Sequence, residues 1–202
     1  MKLFYSPNSP YARKCLVAAH ELGLRERIEI MTANAAPTKR DPDLAASNPL
    51  SKVPTLIADD GTALYDSPVI AEYLDSLGGH KLIPRDGPAR WSVLVEQALA
   101  DGILDAALLA RYETALRPEN FRWSDWTSGQ LEKVTGGLDE LDRRAARFGD
   151  RVDLGTIACA CALGYIDLRW GALDWRKTRR NAAAWFEKFG ARESMVKTRP
   201  PG

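Results

Sequence analysis

The spacing of apolar residues changes along the chain, and this change restricts the possible folds more than any other feature. Over roughly the first 79 of the 202 residues the pattern alternates between strand and helix, and after residue 88 it indicates helices alone. We therefore predict an α/β domain at residues 1–79, a linker at 80–87 that contains proline and glycine, and an all-helical domain at 88–202.

The first region contains four short strand patterns and two helix patterns. We predict strands at residues 2–6, 27–31, 54–58 and 62–65, and helices at 10–23 and 66–77. A helix between the first two strands implies a parallel pair joined by a right-handed crossover. Asp59-Asp60-Gly61 is typical of a hairpin turn, so the last two strands should be antiparallel. Residues 33–48 should form a loop with at most a short helix.

The second region shows the 3.6-residue period of amphipathic helices. We predict helices at residues 89–113, 127–148, 154–170 and 179–189, with a break at 118–126. The third of these is apolar nearly all round, so we expect it to form the buried centre of a helical bundle.

Charge and composition exclude several classes of protein. The formal net charge is only +1, which gives no reason to expect nucleic acid or an anionic membrane as a partner. The longest mostly apolar run, residues 154–166, is too short to cross a bilayer. The first residues lack the apolar core of a signal peptide, so we expect a cytoplasmic protein. Three cysteines without a CxxC pattern and two isolated histidines give no basis for a metal site.

Two Ser-Pro pairs lie close together in the stretch FYSPNSPYARK. Ser9 precedes Pro10, which suits the first helical position, so Ser9 is the predicted N-cap of the first helix. Ser6-Pro7 should end the strand and turn the chain. A third pair, Ser67-Pro68, follows Asp66 and should open another helix with Ser67 as its N-cap. Helix N-termini such as these also bind anions.

Four motifs carry a resemblance to a known family: YSPNSPYARK, NPLSKVPTL, LYDSPVIAEYL and DLGTIACACALGYIDLR. Together with a helical second domain, they resemble the soluble glutathione S-transferases, above all the bacterial, serine-type, theta/beta-like members. The resemblance covers nearly the whole chain. It implies a thioredoxin-like N-terminal domain, an all-α C-terminal bundle, glutathione as co-substrate without a metal, a homodimer and a role in detoxification.

The same resemblance assigns roles to individual residues. Ser9 would be the catalytic residue that stabilises the glutathione thiolate. Val53-Pro54 would be a cis peptide, and the Val53 backbone would pair with the cysteinyl backbone of glutathione, as an added strand does. Lys52 would reach the glycyl carboxylate. Lys39 and Arg40 are weaker candidates for that contact.

At the other end of the peptide, Ser67 would hold the α-carboxylate of the γ-glutamyl residue. Asp66 would face its ammonium group, although the family usually has Glu or Gln there. Asp153 and Thr156 reverse the residue types of the family's capping box, which favours a role in folding.

Four residues are candidates for a second-substrate pocket: Tyr11, Arg111, Tyr112 and Trp123. Each could equally serve core packing or surface cover. The expected reaction is attack of the glutathione sulfur on a hydrophobic electrophile. The alternatives are a glutathione-dependent isomerase or dehalogenase on the same site, and a non-catalytic binding module that keeps the fold.

Overall fold

The computed structural model describes residues 1–201, and these form two compact units. The first unit comprises residues 1–90 together with the segment that begins at Glu193, and the second comprises residues 91–192. The predicted domain limits at residues 79 and 88 stay a prediction.

A mixed sheet forms the centre of the first unit. Its strands are β1 (Lys2–Tyr5), β2 (Glu29–Thr32), β3 (Thr55–Ile57) and β4 (Ala63–Leu64), in the order β2-β1-β3-β4. β1 is parallel to β2, with Leu3 opposite Ile30, and antiparallel to β3, with Leu3 opposite Leu56. The hairpin between β3 and β4 is closed by the Ala58 N–H, which donates to the Thr62 carbonyl at 2.9 Å.

Helices α1 (Pro10–Glu21) and α3 (Ser67–Leu77) pack against each other in this unit, and a short helix α2 (Pro42–Ser47) lies in the predicted loop. The C-terminal ends of α1 and α3 can approach closely because residue 78 is a glycine. A Cβ at that position would lie 2.4 Å from Cδ2 of Leu22.

The second unit contains the long helices. α4 (Gly87–Ala115) contributes its residues from Trp91 onward, followed by α5 (Ser124–Ala145), α6 (Leu154–Arg169) and α7 (Arg180–Gly190). α5 begins three residues before its predicted start at residue 127, so the predicted break at 118–126 is partly helical. Residues 154–166 of α6 are buried except for the half-buried Gly164, which confirms α6 as the buried centre.

Asp153 and Thr156 form the predicted capping box at the start of α6. The Thr156 N–H donates to the Asp153 carboxylate at 2.9 Å, and the Asp153 N–H donates to the Thr156 hydroxyl at 3.0 Å. An α/β unit and a helical unit together confirm the predicted fold class. None of the helices within residues 1–201 has the length and apolar character needed to span a membrane.

The last helix of the described chain, α8 (Glu193–Lys197), returns to the first unit and packs on α1. The buried guanidinium of Arg13 donates to the Met195 carbonyl at 3.0 Å. The backbone N–H of Arg13 donates to the Ser9 carbonyl at 3.0 Å, so the same residue joins α8 to the first turn of α1.

Candidate functional site

Ser9 occupies the N-cap of α1, as predicted. Its backbone is extended, and its Oγ accepts a hydrogen bond from the Ala12 N–H at 3.2 Å. A hydroxyl group has two lone pairs and one proton, so this bond leaves the proton available for donation. No residue within 1–201 accepts it, and the side chain is half-exposed. Ser9 can therefore cap its helix and donate a hydrogen bond to a ligand at the same time.

The neighbouring pair, Ser6-Pro7, makes the predicted turn. The Ser9 N–H donates to the Ser6 carbonyl at 2.9 Å, with Pro7 at the second turn position that proline favours. Of the two serines, therefore, only Ser9 stands at the start of a helix.

The predicted cis peptide bond at Val53-Pro54 is present. β3 begins at Thr55, so Val53 lies outside the sheet ladder. Across the described chain, no hydrogen bond joins the Val53 N–H or C=O to another residue. Val53 is half-exposed, and both of its backbone groups are thus open to an extended peptide.

Asn48 holds this loop in place, and sequence reasoning missed it. Its side chain is buried and donates to the Lys52 carbonyl at 3.2 Å and to the Thr55 hydroxyl at 2.9 Å. Its Oδ1 accepts the Leu50 N–H at 3.0 Å, and the Thr55 hydroxyl donates to the Lys52 carbonyl at 2.9 Å. These bonds fix both ends of the Lys52-Val53 segment. The Asn-Pro dipeptide at 48–49 was the available signal for a turn.

The basic candidates near this loop are all exposed. The Lys52 ammonium forms no ion pair or hydrogen bond within residues 1–201. Arg40 donates to the Pro49 carbonyl at 3.4 Å, and Lys39 pairs through its backbone with Ala36. Lys52 is thus the cation adjacent to Val53 whose charge stays available for a carboxylate.

The start of α3 differs from the prediction by one residue. Asp66, rather than Ser67, occupies the N-cap position, because Asp66 has extended backbone angles and its carbonyl accepts the Ile70 N–H at 3.0 Å. Asp66 makes no side-chain capping bond, and its peptide bond to Tyr65 is cis. Its carboxylate is exposed, whereas Ser67 is buried in the first helical turn.

Neither the Asp66 nor the Ser67 side chain makes a hydrogen bond that caps α3. In the described part of the chain, no group bonds to the Asp66 carboxylate or to the Ser67 hydroxyl. A helix N-terminus with a hydroxyl favours an anion, and an adjacent carboxylate favours a cation. The pair therefore suits the zwitterionic end of an amino acid.

The four candidates for the second substrate lie in both units. Tyr11 is half-exposed in α1 of the first unit. Arg111 and Tyr112 are half-exposed neighbours in α4, and burial raises the pKa of Tyr112. Trp123 is exposed just before α5 and stacks against Trp126 with ring centroids 6.4 Å apart. Its backbone N–H donates to the carboxylate of the buried Glu113 at 2.8 Å.

The basic run at residues 176–180 serves the helical unit. Arg176 pairs with Asp167 at 2.7 Å and lies over the Trp175 ring, and Arg179 pairs with Asp139 at 2.8 Å. All three cysteines are buried and none of them is in a disulfide bond, and within residues 1–201 no cluster of three or more His, Cys, Asp or Glu could hold a metal ion.

Comparisons with known proteins identify the family of the chain. Residues 8–77 match the model of the glutathione S-transferase N-terminal domain, and residues 124–188 match that of the C-terminal domain. The uncharacterized GST-like protein YibF of Escherichia coli strain K12 is 37% identical, across 100% of this chain and 99% of that protein. The chain therefore belongs to the glutathione S-transferase family.

Solved structures of a family member from Pseudomonas fluorescens Pf-5 show the same fold. One, with bound glutathione, is 44% identical with a TM-score of 0.97 and covers 100% of this chain and 99% of that one. Another holds S-(propanoic acid)-glutathione, at 43% identity and a TM-score of 0.92, with 100% of both chains covered. Elongation factor 1-gamma of Carassius auratus is 27% identical over 91% of this chain, which spans only 42% of that protein.

Proposed function

We propose that this protein is a glutathione transferase in which the Ser9 hydroxyl donates a hydrogen bond to the glutathione sulfur and favours its thiolate. The observation that carries the proposal is the geometry of Ser9. Its Oγ uses a lone pair for the Ala12 N–H at 3.2 Å and keeps its proton for a ligand. Glutathione bound in the relative from Pseudomonas fluorescens supports the choice of co-substrate.

The required stabilisation is within reach of one hydroxyl group. A free thiol has a pKa of about 8.5. Lowering that pKa by about two units requires the thiolate to be stabilised by roughly 2.7 kcal/mol relative to the thiol. A hydrogen bond to a charged group contributes about 1.5–3 kcal/mol, and a helix N-terminus about 0.3–1 kcal/mol. Ser9 at the start of α1 combines both contributions.

The remaining residues of the first unit would bind the glutathione peptide along its length. The backbone N–H and C=O of Val53, the residue before Pro54, pair with the backbone of the cysteinyl residue of glutathione. Lys52 takes the glycyl carboxylate. Ser67 takes the α-carboxylate of the γ-glutamyl residue, and Asp66 takes its ammonium group.

The proposed chemistry is thioether formation with a hydrophobic electrophile. The sulfur forms the new bond to carbon, and the thiol proton passes to solvent. S-(propanoic acid)-glutathione, held by the relative, is a thioether of glutathione and supports conjugation over disulfide exchange. Ser9 also lacks the sulfur needed for a mixed disulfide with glutathione.

A non-catalytic binding module is the second candidate, favoured by the similarity to elongation factor 1-gamma. Retention on immobilised glutathione without turnover of any electrophile in a substrate panel would support it. Isomerisation and dehalogenation with glutathione would show in the same panel.

A cytoplasmic homodimer with a role in detoxification completes the proposal. Trp91 and Val95, one turn apart on α4, are 65% and 49% exposed, which supports an apolar contact with a second copy. The three buried cysteines, none of them in a disulfide bond, are consistent with a reducing compartment.

Turnover of chlorodinitrobenzene with glutathione tests the catalytic assignment. Ser9→Ala should lower kcat/KM by about 100-fold, since the hydrogen bond to the thiolate is lost. Ser6→Ala is the matched control, a second serine before a proline, and should stay within about twofold of wild type. Equal rates for wild type and Ser9→Ala would remove Ser9 from the mechanism.

A further inference from the structure

A buried arginine joins the first turn of α1 to residues 193–201, called the α8 segment below. Arg13 is only 6% exposed, and its guanidinium donates to the Met195 carbonyl at 3.0 Å and to the Thr198 hydroxyl at 3.4 Å. Both acceptors are neutral, and no carboxylate within residues 1–201 forms an ion pair with Arg13. Apolar side chains of similar volume often hold two elements together at lower cost than a buried charge does. Adhesion alone therefore does not explain an arginine here.

The acceptors on the α8 segment are themselves held in place. The buried Thr198 hydroxyl donates to the Ser194 carbonyl at 2.8 Å, and the Ser194 hydroxyl donates to the Glu21 carboxylate at 2.5 Å. Glu21 is the last residue of α1, so the segment is bonded to both ends of that helix. The donors of a guanidinium lie in a rigid planar fork, so two bonds from Arg13 set the orientation of α1 against the segment as well as its distance.

The backbone of Arg13 belongs to the turn that holds Ser9. The Arg13 N–H donates to the Ser9 carbonyl at 3.0 Å, and the Ser9 hydroxyl accepts the N–H of Ala12 at 3.2 Å. The first turn of a helix has few hydrogen bonds of its own, because its first four N–H groups have no partner within the helix. The position of the Ser9 hydroxyl therefore depends on what else holds this turn, and a continuous series of hydrogen bonds leads from it through Arg13 to the α8 segment.

We propose that Arg13 is a positioning residue. Anchored by Met195 and Thr198, it holds the first turn of α1 so that the Ser9 hydroxyl stays directed at the glutathione sulfur. The effect on catalysis rests on the proposed function, whereas the restraint on α1 does not. The groups proposed to bind the glutathione peptide lie outside α1, in the loop before β3 and at the start of α3. Loss of the restraint should therefore lower kcat and raise the pKa of the bound thiol, with little change in KM for glutathione.

Amide hydrogen exchange, followed by NMR without glutathione, tests the restraint itself. Arg13→Met should speed exchange of the Ala12 N–H about tenfold, and the milder Thr198→Val, which keeps the guanidinium, about threefold. Amides of β1 report the stability of the whole unit and should change less. Unchanged exchange at Ala12 in Thr198→Val, or an equal change in β1, would overturn the proposal, even if Arg13→Met does not fold.

Two variants provide matched controls for the exchange measurement. Arg25→Met removes a guanidinium that donates to the Ile28 carbonyl at 2.7 Å in the same unit. Thr114→Val removes a hydroxyl that donates to the Ala110 carbonyl one turn earlier at 3.1 Å, as Thr198 does to its own helix. Both should leave exchange at Ala12 as in wild type. Faster exchange in either control would mean that any lost bond loosens this turn, which contradicts a specific role of Arg13.

The pKa of the bound thiol, measured in a double-mutant cycle, tests whether Arg13 acts through Ser9. Arg13→Met should raise this pKa by about one unit and lower kcat at a pH below it roughly tenfold, with KM for glutathione within about twofold of wild type. In the Ser9→Ala background the same substitution should leave the pKa within about 0.3 units, because the hydroxyl that it positions is absent. An equal rise in both backgrounds would show that the charge of Arg13 acts on the thiolate directly, which contradicts positioning.

The two experiments together separate this proposal from the proposed function. If exchange at Ala12 is faster in Thr198→Val while Ser9→Ala keeps the thiol pKa of wild type, the restraint stands and the Ser9 mechanism fails. If Ser9→Ala raises the pKa while Arg13→Met and Thr198→Val change neither the exchange nor the pKa, the Ser9 mechanism stands and the positioning role of Arg13 fails.

Discussion

Replacing Asn48 by alanine should loosen the loop that presents Val53 to glutathione. The Asn48 side chain makes three hydrogen bonds: to the Lys52 carbonyl, to the Thr55 hydroxyl and from the Leu50 N–H, at 3.2, 2.9 and 3.0 Å. No other side chain in the described structure bonds to both ends of this segment. Asn48→Ala therefore acts on the position of Val53 without touching the ligand.

The expected loss of stability follows from these bonds. Each contributes about 0.5–1.5 kcal/mol net, so three would total about 1.5–4.5 kcal/mol. The Lys52 carbonyl keeps its bond from the Thr55 hydroxyl, and Leu50 is exposed, so its N–H can bond to water. The loss should therefore be about 2 kcal/mol in the free energy of unfolding.

Urea unfolding and calorimetry with glutathione measure the two effects separately. At a urea concentration that leaves the variant folded, the Kd for glutathione should rise about tenfold, because the loop must be ordered on binding. Asn181→Ala, which removes one exposed bond to Asp142 in the helical unit, should change neither quantity appreciably. A destabilised Asn48→Ala protein with unchanged Kd would refute the positioning role.

Three further predictions concern charge, pH and assembly. Asp66→Asn should weaken glutathione binding by about 1 kcal/mol, or about fivefold in Kd, while Asp86→Asn should not. The backbone N–H of Trp123 and the Arg117 side chain hold the pKa of Glu113 below its usual value. The ionised Glu113 therefore stabilises the folded protein above its ordinary pKa, and this stabilisation is lost as the pH falls through the lower pKa of the folded state. Glu113→Gln should therefore lose less stability than wild type on acidification, as followed by tryptophan fluorescence. Trp91→Glu should sediment as a monomer if the exposed face of α4 joins two copies, and an unchanged dimer would place the interface elsewhere.

Local signals made parts of the fold and the site predictable. A serine before a proline at the start of an apolar helical period is a strong cap signal, and Ser9 does cap α1. The cis bond before Pro54 followed from the resemblance, since most bonds before proline are trans. The alternation between strand and helix was enough to predict the parallel pair of β1 and β2 and the hairpin of β3 and β4, but not the pairing of β1 with β3.

Features that depend on contacts distant in sequence were not predictable. Asp66 and Ser67 both suit an N-cap, and the choice between them depends on the backbone path out of β4. The segment after Arg192 looked like part of the helical domain, but it packs on α1 through Arg13, far away in the chain. Tyr165 reads as one more apolar position of α6, and only the structure shows that its buried hydroxyl group has no hydrogen-bond partner within residues 1–201.

The pKa of the bound glutathione thiol tests the central claim most directly. It can be measured from the ultraviolet absorbance of the thiolate as the pH is raised, in wild type, Ser9→Ala and the Ser6→Ala control, each saturated with glutathione. The Ser9 mechanism predicts a pKa about two units below that of free glutathione in wild type and in Ser6→Ala, and a return towards about 8.5 in Ser9→Ala. An equally low pKa in Ser9→Ala would contradict it, because the thiolate would then be stabilised by another group.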